Sequence, residues 1–199
     1  MIPSSRPDWL YQSVVIDNLD KVQQECFEIF KKYYSDIFQG KGLTIHYIDR
    51  EILKQEAPAY IAAIDSLGLL DRWSTSIFVG TQGQNRETDS RIHIDNPDWT
   101  HRCYAFNMPV VNCESSWTAF YKCIEEDLDS TLIGDQDNYK VARVYKTESC
   151  QEIGRLPASQ PAWVNVSTPH RPVTSNDSIR LLISTRFWPE IHDYFDEAK

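Results

Sequence analysis

The chain is 199 residues long, 41% hydrophobic and 12% aromatic, with six Trp and seven Gly, which is enough apolar surface for one ordinary core and excludes a disordered chain. Twenty basic residues against twenty-nine acidic ones give a net charge of -9, which repels a phosphate backbone and makes nucleic acid a disfavoured partner. The opening Met1-Ile-Pro-Ser-Ser-Arg-Pro-Asp-Trp9 has no apolar signal core, and no later stretch reaches the length of a bilayer span, so the expectation is a soluble, cytoplasmic protein without membrane contact.

In chain order, Asn18 is placed to cap a helix whose apolar residues Leu19, Val22, Cys26, Phe30, Tyr33 and Phe38 recur at helical spacing, with Gly40 as its stop. A second helical segment opens near Asp49 with Ile52 and Leu53, breaks at Pro58 and resumes through Tyr60, Ile61, Ile64 and Leu67 toward Gly68. From Ser74 the texture changes to short apolar and β-branched runs at 74–79, 91–94, 102–111, 117–122, 140–145, 162–167 and 179–187. These predict strands at the near-regular spacing of a sandwich or barrel. The polar stretches 80–90 and 125–138 are expected to be loops. The organisation expected is a single domain, mainly β, with supporting helices in 1–73, strands in 74–188 and a tail over 189–199. Five cysteines, odd in number and without a Cys-x-x-Cys pair, read as reduced thiols rather than disulfides or zinc ligands.

The chemistry concentrates in two short stretches. In Arg91-Ile-His-Ile-Asp95, strand alternation points His93 and Asp95 to one face and Ile92 and Ile94 to the other. Alone this dyad is a weak signal, because a surface strand with two polar residues looks the same. The second stretch is Pro161-Ala-Trp-Val-Asn-Val-Ser-Thr-Pro-His170-Arg-Pro, an apolar strand ending in a histidine between two prolines, which predicts a rigid turn. Ten residues on, the alternation of Ile179 to Phe187 puts Arg180, Leu182, Ser184 and Arg186 on one face. An arginine facing inward from an apolar strand needs an anion. Two histidines and a carboxylate make a facial triad that leaves three metal positions open for a bidentate cosubstrate and O₂. Arg180 would then supply the always-charged, bidentate partner of the cosubstrate's distal carboxylate.

His93-x-Asp95, His170 and Arg180 ten residues on, each on or beside a short strand, resemble the Fe(II)/2-oxoglutarate-dependent oxygenases of the double-stranded β-helix fold, the cupin-like jelly roll. The likeness covers residues 74–188, with the N-terminal helices where the family keeps its supporting helices. The segment Arg102-Cys-Tyr-Ala-Phe-Asn-Met-Pro109 and the ending Ile183-Ser-Thr-Arg-Phe187 look most like small prolyl and aspartyl/asparaginyl hydroxylases. The resemblance implies Fe(II), 2-oxoglutarate and O₂ as cofactor and cosubstrates, with hydroxylation of an amino acid, a peptide or protein residue, or a small metabolite, and succinate and CO₂ as co-products. Asp95 disfavours halogenation, since related halogenases carry a small residue there.

In that frame Asn107, on the face of Cys103 and Ala105, either lines the 2-oxoglutarate pocket or is a satisfied turn amide. Leu182 stands where some members carry a serine after the arginine, so Ser184 is the candidate for that role. Arg186, Tyr104 and Trp163 are candidates for the surroundings of the metal or the substrate, although Trp163, like Trp117 and Tyr121, has core packing as its rival reading. His101 is a rival ligand by proximity, but two residues alternating on a strand fix ligand geometry better than a loop does. Arg180 and Arg186 also resemble the arginine pair of alkylated-nucleic-acid demethylases, a reading the charge of -9 opposes. A non-catalytic, cupin-like metal-binding module is the alternative from another class, and Arg180 discriminates against it, since a simple cupin has no use for it.

Overall fold

The computed structural model of the chain describes residues 9–38, 42–82, 91–95, 104–124, 128–129, 143–174, 179–187, 191 and 195. Among the described residues twelve strands form two six-stranded sheets: β1 (Tyr11–Ser13), β2 (Gly42–Tyr47), β3 (Trp73–Gln82), β4 (Ile92–Ile94), β5 (Tyr104–Val111), β6 (Ser116–Cys123), β7 (Leu128–Asp129), β8 (Arg143–Tyr145), β9 (Cys150–Pro157), β10 (Ala162–Asn165), β11 (His170–Thr174) and β12 (Arg180–Phe187). The first sheet has the order β1-β10-β5-β12-β3-β2 and the second β7-β8-β4-β11-β6-β9, all pairs antiparallel. From β3 to β6 and again from β9 to β12 the chain alternates between the sheets, which is the winding of a double-stranded β-helix.

The strands that carry the site, β4, β11 and β12, bury both faces. On β12, Leu181, Ile183 and Phe187 join the large core under the helices, while Arg180, Leu182, Ser184 and Arg186 face the other sheet. On β4, Ile92 and Ile94 pack on the outer side against Ala119, Tyr121 and Tyr145, which turns His93 inward. Between the sheets, Ala105, Phe120, Leu156, Ala162, Val164 and Val166 close one end with apolar contacts and leave the other for the site.

Three helices cover the outer face of the first sheet. α1 (Leu19–Ile29) buries Val22, Cys26 and Ile29, α2 (Arg50–Glu56) buries Leu53, and α3 (Pro58–Ser66) buries Tyr60, Ala63 and Ile64. Asn18 occupies the position before α1 with φ 54, and its side chain makes no capping bond; its carbonyl accepts from Val22 at 3.2 Å instead. After Ile29 the helix widens into a π turn over Phe30–Tyr34 and tightens into a 3₁₀ turn over Ser35–Phe38. That wider turn shifts the buried phase by one residue: Tyr34 is buried and Tyr33, the residue expected inside, is 40% exposed. Asp49 caps α2 by accepting from Glu51 N–H at 2.8 Å. Pro58 sits in the first turn of α3, where no N–H is required, and Glu25 of α1 accepts the Ala59 N–H at 2.7 Å.

Several expectations need correction. The region 1–73 supplies two strands as well as helices, β1 beside β10 and β2 beside β3. Strand β9 joins the second sheet unannounced, because its mixed sequence has no clean alternation. Cys123 and Cys150, read as reduced, are cross-strand partners in β6 and β9 and form a disulfide; Cys26 and Cys113 are buried free thiols. Sequence spacing cannot reveal such a pair, since register alone brings the two together. Among the described residues no helix is long and apolar enough to cross a membrane. Most of the two polar stretches, together with His101, Cys103 and His192, lies outside the described residues.

Candidate metal and dicarboxylate site

The triad is assembled by strand register. β4 and β11 pair so that His93 and His170 stand directly opposite each other, with ring centroids 4.7 Å apart. His170 is thus the first residue of a strand rather than part of a turn. Asp95 follows β4 by one residue, and its backbone N–H donates to the Val166 carbonyl at 3.0 Å, which fixes where the side chain leaves the main chain. Asp95 Oδ1 lies 3.2 Å from His93 Nε2 and 4.0 Å from His170 Nε2. One ligand atom from each residue falls within 4.8 Å of the others, the one such group among the described residues.

The histidine tautomers follow from the hydrogen bonds. His93 Nδ1 lies 2.9 Å from the Arg91 carbonyl and His170 Nδ1 lies 2.8 Å from the Thr168 carbonyl. A carbonyl only accepts, so each Nδ1 carries a proton; the neutral His170 ring turns its Nε2 lone pair toward Asp95, whereas His93 Nε2, 3.2 Å from Asp95 Oδ1, donates to that carboxylate a proton that a metal would displace. This backbone support is the arrangement that orients metal-ligating imidazoles. Burial and the neighbouring His93 push the His170 imidazole down to about 4. Burial opposes charge on Asp95 as well, but the hydrogen bond from His93 and the charges of Arg186 and His170 hold its carboxyl well below the usual range. On His93 burial likewise acts downward, yet the bond and charge of Asp95 prevail and raise its value. Two imidazole Nε2 atoms and one carboxylate oxygen, converging on one point, suit a divalent first-row metal with open positions once the His93 Nε2 proton is released.

The triad forms one wall of a cleft between the sheets, about 530 Å³ with its mouth included. β12 supplies the facing wall through Arg180, Leu182, Ser184 and Arg186, and β5 adds Asn107. The alternation read from the sequence therefore places these four β12 residues together on the cleft side. Leu43, Ile45, Ile77 and Val79 make the rest of that sheet's contribution aliphatic; none of them was singled out from the sequence, although the alternation of Leu43, Ile45 and Tyr47 around Thr44 and His46 marks a strand.

Arg180 is 1% exposed, and its Nε, Nη1 and Nη2 have no hydrogen-bond partner among the described residues. Burial lowers its pKa, and among the described residues the titratable neighbour acting on it is the Cys113 thiol, which already donates to the Leu181 carbonyl at 3.2 Å. Thr81 is the cross-strand partner of Arg180, so the two side chains share a face, and among the described residues the buried Thr81 hydroxyl also has no hydrogen-bond partner. At the other end of β12 the polar groups are satisfied. Arg186 Nη2 donates to Asp95 Oδ2 at 2.6 Å, Arg186 Nη1 to Ser184 Oγ at 2.6 Å, and Ser184 Oγ to Asn107 Oδ1 at 2.6 Å.

Tyr104 and Trp163 do not line the cleft. Tyr104 stacks on Trp9 and meets Phe195 at a tilt, with centroids 5.2 and 4.6 Å away, and Trp163 packs on Phe106, Phe187 and Phe195 in the core under the helices. The ion pair of Arg186 with Asp95 was not foreseen, because its partners are 91 residues apart.

No protein-family description and no curated protein matches the sequence. Among solved structures, the chain is similar to a Pseudomonas putida prolyl-4-hydroxylase, with 13% identity over 89% of this chain and 91% of that one at a TM-score of 0.48. It is also similar to the epimerase SnoN, solved with Fe3+, alpha ketoglutarate and nogalamycin RO, with 15% identity over 89% of this chain and 77% of that one at a TM-score of 0.46. A third similar structure is the non-heme, alpha ketoglutarate-dependent carbocyclase SnoK, with 11% identity over 95% of this chain and 86% of that one at a TM-score of 0.45. Fold alone does not fix chemistry, which belongs to the side chains in the cleft.

Proposed function

We propose that this chain is an iron(II)- and 2-oxoglutarate-dependent dioxygenase that hydroxylates a C–H bond of an amino acid, a peptide or protein residue, or a small metabolite. The observation that carries the reading is Arg180, a guanidinium buried in the same cleft as the His93, Asp95 and His170 triad with no nitrogen partnered among the described residues. An unpaired buried charge costs several kcal/mol, so a protein that keeps one has a use for it. The orphaned Thr81 hydroxyl on the same face makes the need specific: a carboxylate seated there would accept from both. Metal donors at one end of the cleft and an anion receptor at the other suit a dicarboxylate that chelates through one end. A bare metal-binding module has no need of the second feature.

In this reading His93, Asp95 and His170 hold the iron, and Arg180 with Thr81 holds the distal carboxylate of 2-oxoglutarate. Leu182 and Val79 confine the cosubstrate between apolar walls that keep water from the reacting end. Ser184 and Asn107 line its flank. Bound iron with 2-oxoglutarate and O₂ would supply the oxidising power for hydroxylation, with succinate and CO₂ as co-products.

The test is 2-oxoglutarate binding under anaerobic conditions, followed by calorimetry. Arg180→Met keeps most of the side-chain volume and removes its donors, so it is expected to weaken 2-oxoglutarate by about 2 to 4 kcal/mol, roughly 30- to 1000-fold, with metal affinity nearly unchanged. Arg180→Lys should recover part of the loss, since it keeps the charge without the fork. Equal affinity in wild type and Arg180→Met would return the cupin-like alternative to the front.

A further inference from the structure

The two oxygens of Asp95 are used differently. Oδ1 faces His93 and His170 at 3.2 and 4.0 Å, whereas Oδ2 is taken by Arg186 Nη2 at 2.6 Å. Arg186 is itself held. Its side chain is 12% exposed, and its Nη1 donates to Ser184 Oγ at 2.6 Å. A guanidinium has no lone pair, so Ser184 must accept from it and spend its own proton on Asn107 Oδ1, also at 2.6 Å. Ser184 and Asn107 are cross-strand partners in β12 and β5, and Ser184 lies two residues from Arg186 on the same face of β12. The chain of bonds therefore runs from the backbone of two adjacent strands to one oxygen of one metal ligand, and every direction in it is determined.

We propose that Arg186 is a positioning residue that confines Asp95 to metal binding through one oxygen and so keeps a third position open on the metal. The proposal rests on the triad's being a metal site, and it concerns how many positions the protein takes. A carboxylate can bind a metal with one oxygen or with both. With both, Asp95 and the two histidines would fill four of six octahedral positions, leaving too few for a chelating cosubstrate and O₂ together. For Asp95 to turn in that way, Oδ2 must leave Arg186, and a nearly buried guanidinium would lose its charged acceptor. The arginine is thus a lock on ligand count, and its charge offsets that of Asp95 without touching the metal.

The experiment loads the full chain with Mn(II) and measures water-proton relaxation, which counts exchangeable waters on the metal without any turnover. Wild type is expected to show the inner-sphere relaxivity of about three waters, and Arg186→Met about two, a fall of roughly a third. In the same variant 2-oxoglutarate should bind at least tenfold more weakly, while Mn(II) binds as tightly as in wild type or several-fold more tightly, because a repelling cation is gone and a second oxygen has been freed. An arginine with a merely structural role would instead lower Mn(II) affinity and leave the water count alone. Arg186→Lys, which keeps one charged donor for Oδ2, should retain the wild-type relaxivity. Should Arg186→Met not fold, Ser184→Ala, which removes one anchor of the arginine, is expected to give a relaxivity between the two. Bound Mn(II) with unchanged relaxivity in whichever of these two variants folds overturns the proposal alone, whereas a wild type that binds no Mn(II) overturns the metal site itself and the proposal with it.

Discussion

At His170 burial and hydrogen bonding act on one ring. The Thr168 carbonyl holds the proton on Nδ1 at 2.8 Å, and burial beside His93 keeps the ring neutral down to about 4, which is the state a metal requires. The sign of the stability effect follows. Between about 4 and the ordinary value of 6.5 the unfolded chain binds a proton at this residue and the folded chain does not, so stability from His170 is present above 6.5 and lost as pH falls to 4. His93 contributes in the opposite sense: its value is raised, so its contribution is complete below 6.5 and lost as pH rises through the folded value. Asp95, held low, loses its contribution as pH falls below the ordinary carboxylate range. The window from 6.5 to 4 therefore belongs to His170 among these three. Metal-free protein is expected to lose up to about 3 kcal/mol across it from this residue, and His170→Gln to be flatter by that amount. Urea unfolding in a chelator at several pH values measures this, and parallel curves for the two proteins would sink it.

At the scale of elements, the fit between the helical layer and the first sheet depends on Gly80 in β3. A Cβ there would collide with the ring of Phe38, which closes the 3₁₀ turn after α1 and lies edge-on to Phe30 at 5.2 Å. Phe38 cannot simply swing away, because it is 4% exposed and hemmed in by that contact. Gly80→Ala is expected to destabilise the fold by about 1 to 3 kcal/mol, and Gly80→Ala with Phe38→Leu to recover part of it. Chemical denaturation of the single and double variants reads this directly; an additive double variant would mean that the two side chains do not meet. β12 is the element that organises the site, because its outer residues anchor it in the core while its inner ones carry Arg180 and Arg186 to the two ends of the cleft. Its partners are set by register, so a one-residue slip would exchange the arginines for Leu181 and Phe187.

Over the whole molecule, the charge of -9 opposes a nucleic-acid substrate by long-range repulsion. Methylated DNA or RNA oligonucleotides are expected not to stimulate succinate release, and ordinary turnover of one would overturn this. How much of the protein was legible in its sequence follows from the range of each signal. The alternation in His93-Ile-Asp95 and along Arg180 to Arg186 determined which side chains share a face, since the two-residue period of a strand is local geometry. The opening of a helix near Asp49 and the break at Pro58 were legible because they too are local signals. The buried phase of the first helix was not, because the π turn after Ile29 is a response to packing on the sheet. His170 as a strand residue opposite His93, the disulfide between Cys123 and Cys150, and the bond from Arg186 to Asp95 all join residues far apart in sequence. The sequence determined by itself the inventory of candidate ligands and the faces they occupy. Only the tertiary structure decided which of them meet, because cross-strand register is a property of the closed pair of sheets rather than of any one segment.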